Sequence, residues 1–312
     1  MLNLGNRLGV VLRTLNPRTL ILLVPLFLLL AAACSSDSEE PIISSEQEAG
    51  GPEYSGAVIN QDIAVGVNRL LFVVIDREGM PVKGQVADVG VFFLVPKEDT
   101  RELKQSVTAD FVVWTAASGG VFSTETDIEV GGAYELDINF TSNDGVEIFA
   151  QTSFLVKDES QTPVIGSPAP ASVTYTLDDK EDISHITSSP EPDLDLYQLS
   201  IDEALKQDKP LVVVFATPGF CVSATCGPQV GELTKVKANL GEPVNFIHVE
   251  VFEDPHLIEG GRPTGSLVPS VLEWGLPTEP WTFIVDKEGL VSAKFEQFTT
   301  AAEIVAKLLE IL

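Results

Sequence analysis

Leu211-Val212-Val213-Val214-Phe215 is an uninterrupted apolar run, and a strand of this kind is stable only when both of its faces are covered. The chain around it must therefore supply layers. Ser200-Ile201-Asp202-Glu203 has the form of a capping box, which predicts a short helix ending before Lys209-Pro210. After the run, a Pro218-Gly219 turn leads past Cys221 and Cys226 into a helical stretch reaching about Leu240, with Val230, Leu233, Val236 and Leu240 on one side. Val244–Phe252 reads as a second strand, Pro269–Trp274 as a short helix and Trp281–Val285 as a third strand. Asp286-Lys287-Glu288-Gly289 turns into a fourth strand, Leu290–Gln297. Thr300-Ala301-Ala302-Glu303 caps a closing helix with Ala302, Val305, Leu309 and Leu312 on one face. The order β-α-β-α-β-β-α requires parallel strands joined by crossovers in its first half and a hairpin with a covering helix in its second.

Four residues separate Cys221 from Cys226. On a regular helix two such positions lie about 140° apart with a rise near ~7.5 Å, while a disulfide needs Cα atoms within ~7 Å. A bond between them requires Cys221 in the loop and Cys226 in the first helical turn. LVVVFATPGFCVSATCGP resembles the strand, loop and helix that carry the redox cysteines of thioredoxins. EPWTFIVDKEGLV resembles the segment after the cis-proline of the membrane-tethered cytochrome-maturation thioredoxins, with Pro280 on the cis-proline position. With the element order, the resemblance covers about residues 196–312 and implies an α/β thioredoxin-like fold. It implies a nucleophilic Cys221, a resolving Cys226 and a cleft shaped by Pro280.

The chain departs from that family twice. Thioredoxins place two residues between their cysteines, and they carry a buried acid on the central strand. Leu211–Ala216 contains no carboxylate, so proton transfer to the resolving thiol would need water or another group. The expected function is thiol–disulfide exchange with exported protein partners. The alternative is a redox-silent binding or scaffold protein in which Cys221 and Cys226 form a structural disulfide.

No metal or cofactor is expected. Copper-delivering Sco-type relatives carry a histidine just before the later strand, where this chain reads Leu276-Pro277-Thr278-Glu279-Pro280. His248 and Glu250 share a strand face and His256 follows in a loop, but a lone strand histidine is usually satisfied structurally. Nothing resembles the Thr and Arg constellation of a peroxidatic cysteine, and no catalytic triad, phosphate loop or zinc spacing is present.

Residues 56–158 show short runs rich in Val, Ile, Phe and Thr between turn signals. Tyr134, Leu136, Ile138 and Phe140 alternate with Glu135, Asp137 and Asn139, the period of a half-buried strand. Asn143-Asp144-Gly145 then predicts a hairpin into Val146–Val156. About seven strands suit an all-β immunoglobulin-like sandwich. GGVFSTETDIEVGGAYELDINF resembles the last strands of the YtkA-like modules of exported bacterial proteins. This region has no Cys or His and only Met80, and acids such as Asp88, Asp127 and Glu135 read as a solvated face, so it is expected to be a spacer or interaction module. Residues 159–195, rich in Pro, Ser and Asp, read as a linker.

The front of the chain reads as an address. Residues 1–33 carry Arg7, Arg13 and Arg18 and then the apolar run 20–33, too short for a span of about 20 residues but suited to a signal peptide. Ala31-Ala32-Ala33 before Cys34 resembles a bacterial lipobox, although Ala31 stands where Leu is usual. The resemblance implies an acylated Cys34, followed by an acidic Ser/Glu/Gly spacer over 34–55. The protein is then expected in the bacterial cell envelope, outside the cytoplasm and held to the membrane by lipid. With 46 acidic and 19 basic residues and a formal charge of −27, nucleic acid is excluded as a partner on electrostatic grounds.

Overall fold

The computed structural model describes residues 52–114, 119–221, 225–260 and 265–312. Cys34 and the expected signal segment lie outside the described residues. The described residues all fall in one compact unit.

The first seven strands are β1 (Tyr54–Val58), β2 (Gly66–Asp76), β3 (Val86–Leu94), β4 (Arg101–Trp114), β5 (Gly119–Ile128), β6 (Gly132–Thr141) and β7 (Glu147–Val156). They make one antiparallel sheet in the order β1-β2-β5-β4-β3-β6-β7. The alternation in β6 is realised, with Tyr134, Leu136, Ile138 and Phe140 all buried. The β6–β7 hairpin turns through Asn143-Asp144-Gly145, where Gly145 takes a positive φ of 82°. The sheet curls until its two edge strands, β1 and β7, pack against one another. Gly56 makes that approach possible: a Cβ there would meet Ile138 Cδ1 at 3.0 Å and Thr152 Cβ at 3.1 Å. Inside, Phe122 stacks on Phe72 at 5.4 Å between ring centroids and meets Phe111 at 5.2 Å and Phe140 at 4.9 Å.

The second sheet holds β8 (Leu211–Phe215), β9 (Asn245–Val249), β10 (Trp281–Val285) and β11 (Val291–Glu296) in the order β11-β10-β8-β9. β8 runs parallel to β9 and antiparallel to β10. Both faces of β8 are covered. Val212 and Val214 pack with Leu233 and Val236 of α2 (Cys226–Leu240) and with Ile304 and Leu308 of α4 (Ala301–Leu308). Leu211, Val213 and Phe215 pack with Trp274, Phe283 and Ile201. Helical cover on that second face is slight: α1 (Ile201–Ala204) has four residues and α3 (Pro269–Glu273) five.

The fold class expected from the sequence, an immunoglobulin-like sandwich followed by an α/β thioredoxin-like domain, is therefore corrected. The described residues are mostly β, with eleven strands against four α-helices, only two of them as long as eight residues. The seven N-terminal strands form one nearly closed sheet rather than two facing sheets. Strands of nine to fourteen residues over most of that sheet let each strand pair along most of its length with its neighbours, so the sheet bends round on itself.

The stretch 159–195 contributes no strand but packs closely, burying Thr162, Ala169, Ser172, Thr174, Thr176, Ile186 and Thr187. Its start helps to tie the two sheets together around Asp62, in the loop between β1 and β2. The Asp62 carboxylate accepts bonds from Ser160 Oγ (2.6 Å), Thr162 Oγ1 (2.7 Å) and Gln161 N (2.9 Å), and pairs with Lys157 at 3.2 Å and Lys294 of β11 at 3.6 Å. Nearby, the Glu296 carboxylate of β11 accepts from Gln61 N at 2.9 Å and Asp62 N at 3.1 Å. Arg69 of β2 reaches Glu303 of α4 at 2.8 Å.

Burial alone would raise the Asp62 carboxyl, but its hydroxyl and amide donors and the Lys294 charge outweigh that and hold it well below the usual carboxylate range. A depressed folded value contributes stability that is complete above the unfolded value near ~4 and lost as pH falls through the folded one. Asp62→Ala, which leaves the partly buried Lys294 ammonium with only its Ser160 and Thr162 hydroxyl partners and without this paired charge, is expected to cost about 3–5 kcal/mol in denaturant melts. It should also flatten the loss of stability in the wild-type protein below about pH 4.

Candidate functional site

β8 ends at Phe215 opposite the first residue of β10, Trp281. The segments at these two ends, 216–221 and 276–280, therefore meet at one end of the sheet. In the first, Cys221 lies in the loop and Cys226 is the first residue of α2, the arrangement their spacing requires for a bond. They form a disulfide with Cα atoms 5.8 Å apart. The two sulfur-bearing residues differ in environment: Cys226 is fully buried, whereas Cys221 is partly exposed.

The helix start is held by several anchors. Gln229, buried in the first turn of α2, donates to Thr282 of β10 at 3.0 Å and accepts from Thr299 N at 2.8 Å. Glu232 accepts from Ala301 N at 2.7 Å, fixing α2 against α4. The loop before Cys221 is clamped from the 159–195 stretch, where Ser188 Oγ accepts from Gly219 N at 3.0 Å. The approach is close enough that a Cβ on Gly219 would lie 2.7 Å from the Ser188 carbonyl oxygen.

The second segment brings Pro280, whose peptide bond with Glu279 is cis. Pro280 is buried, and its carbonyl accepts from Gln297 N at 2.9 Å. The neighbouring side chain is the one directed at the sulfurs. A carboxylate oxygen of Glu279 and the Sγ atoms of Cys221 and Cys226 all lie within 4.8 Å of one another. Glu279 Oε2 is buried without a hydrogen-bond partner. Burial pushes the Glu279 carboxyl up, and Thr217 offsets part of that rise.

Sequence reasoning noted the absence of a carboxylate on β8 and passed over Glu279. The available signal was its place: an acid directly before the proline that opens the strand antiparallel to β8.

His248 does not join this cluster. Its Nε2 lies 3.0 Å from the Ala216 carbonyl oxygen, which can only accept, so Nε2 carries the proton and Nδ1 accepts from the Tyr197 hydroxyl at 2.7 Å. Both ring nitrogens are in use, and burial lowers the pKa to about 4, so the ring is neutral. Glu250 turns to Ser188, accepting from its N and Oγ at 2.7 Å each. His256 is exposed in the loop after β9 and stacks on His185 at 3.7 Å.

Chemically, a disulfide linking a partly exposed cysteine to a fully buried one can be opened from the side of the exposed residue. Attack at Cys221 Sγ would expel the sulfur of Cys226 into a buried site beside a carboxyl group.

No family model matches the sequence, and no curated protein matches it. Among solved structures, the chain is similar to MtrC from Shewanella baltica at 12% identity and a TM-score of 0.25, over 47% of this chain and 28% of that one. It is also similar to the superoxide reductase neelaredoxin from Ignicoccus hospitalis at 8% identity and a TM-score of 0.21, over 36% of this chain and 85% of that one. Likenesses this slight carry no argument about the chain's fold or chemistry.

The disulfide closes a short loop, which limits what it can add to stability. Replacing the pair (Cys221→Ser with Cys226→Ala) is expected to lower unfolding free energy by only about 2 kcal/mol in denaturant melts. A much larger loss would mark the bond as chiefly structural.

Proposed function

We propose that this chain is a thiol–disulfide exchange protein of the bacterial cell envelope, tethered through Cys34 and acting on exported protein thiols and disulfides. The observation that carries the reading is the asymmetry of the Cys221–Cys226 bond, with one partly exposed sulfur-bearing residue and one fully buried at the first residue of α2. A helix N-terminus favours negative charge, and Cys221, bonded to the first residue of α2, lies beside one, which helps its thiolate form. Cys221 is the attacking and attacked sulfur, and Cys226 resolves the mixed disulfide. Pro280 is buried beneath the site, so its part is to shape the wall that carries Glu279 rather than to offer a surface of its own.

Cys226→Ser should trap a mixed disulfide through Cys221 when the protein is mixed with a disulfide-bonded peptide, and Cys221→Ser should trap none. Absence of the adduct in the Cys226→Ser protein, with the wild-type disulfide inert to the same peptide in its dithiol form, would favour the redox-silent scaffold.

The tether rests on the short apolar run before Ala31-Ala32-Ala33-Cys34. Cys34→Ser should yield an unprocessed precursor without lipid label. Normal processing with retained label would contradict it.

A further inference from the structure

Opening the disulfide creates a problem that the surroundings of Cys226 must solve. Its sulfur leaves as an anion at a residue with no exposure to solvent. Desolvation disfavours a thiolate, so the leaving sulfur needs a proton close at hand. β8 carries no acid, and His248 on β9 is neutral with both nitrogens engaged. Glu250, at the end of β9, is committed to Ser188 and Val251. Glu296 of β11 is committed to Gln61, Asp62 and Thr278. Glu279 remains, with a carboxylate oxygen within 4.8 Å of both sulfurs and a buried Oε2 that has no hydrogen-bond partner.

We propose that Glu279 is the proton donor and acceptor for Cys226 during disulfide exchange. The proposal rests on the thiol–disulfide reading above and assigns it a residue that neither cysteine supplies. The distance is suited to transfer through one water or after a small side-chain rotation. The raised pKa agrees with the role, since a carboxyl that holds its proton nearer neutrality can give it away and take it back. Among the described residues, Thr217 is the one neighbour that shifts Glu279 besides burial itself, so no basic residue holds the carboxyl in its charged form.

A substrate dithiol attacks as thiolate at Cys221 Sγ, forming the substrate–Cys221 bond and breaking the Cys221–Cys226 bond. Cys226 departs with the electron pair and takes the Glu279 proton, leaving a thiol and a carboxylate. The second substrate thiolate then attacks the substrate sulfur of the mixed disulfide and releases Cys221 as thiolate. The substrate is oxidised to a disulfide and the protein pair is reduced, a transfer of two electrons. In the opposite direction the Glu279 carboxylate removes the Cys226 proton as Cys226 attacks Cys221 Sγ.

The test compares Glu279→Gln with wild type in the full-length protein, using dithiothreitol as the dithiol and following single-turnover reduction across pH. Glu279→Gln should slow reduction about 100-fold near neutral pH, and Glu279→Asp should recover part of the rate. A second readout needs no turnover. In a Cys221→Ser background, titrating the thiolate absorbance of Cys226 should give two coupled steps, and Glu279→Gln should leave one, displaced downward by about one pH unit. Equal rates and an unmoved Cys226 titration in Glu279→Gln, with exchange intact in the wild type, would overturn the role of Glu279 and leave the exchange reading standing. A wild-type pair inert to dithiothreitol would overturn both.

Discussion

The antiparallel pairing of β8 with β10 is the constraint on which the site depends. Trp281 lies opposite Phe215, so the loop that leaves β8 and the loop that enters β10 must converge. The pairing is enforced from both faces, since Phe215, Trp274 and Phe283 interlock on one and Val214 and Ile284 pack beneath α2 and α4 on the other. Displacing β10 by one residue would exchange the side chains packed on its two buried faces and carry Glu279 away from the sulfurs. Core packing and chemistry are thus set by one register.

A second consequence is that the disulfide end is built from three remote parts of the chain. β8 and α2 supply the cysteines, the start of β10 supplies Glu279, and the Pro/Ser/Asp-rich stretch supplies Ser188, which fixes both Gly219 and Glu250. That stretch is low in apolar residues because its work here is polar: it satisfies buried groups such as the Asp62 and Glu250 carboxylates. A segment with this task has no periodicity and looks like a free connector in the sequence.

Local signals were therefore readable and pairings were not. The alternation from Tyr134 to Phe140 and the Asn143-Asp144-Gly145 turn gave β6, β7 and their hairpin directly, because both depend on neighbours in sequence. Whether seven strands close into one sheet or split into two depends on which strands pair, and an inward-facing residue looks the same in either case. The cysteines followed the same rule. Their spacing required a loop position and a first-turn position, which they occupy, while the carboxyl beside them comes from more than fifty residues away and could not be read from local pattern.

Thiol–disulfide exchange requires the Cys221–Cys226 bond to open and close in use. Its reduction potential, measured by equilibrating the mature protein with glutathione redox buffers, tests this most directly. A value between about −120 and −270 mV, within the range of exchange proteins, is expected. A value below about −300 mV would contradict it and mark the bond as a permanent staple.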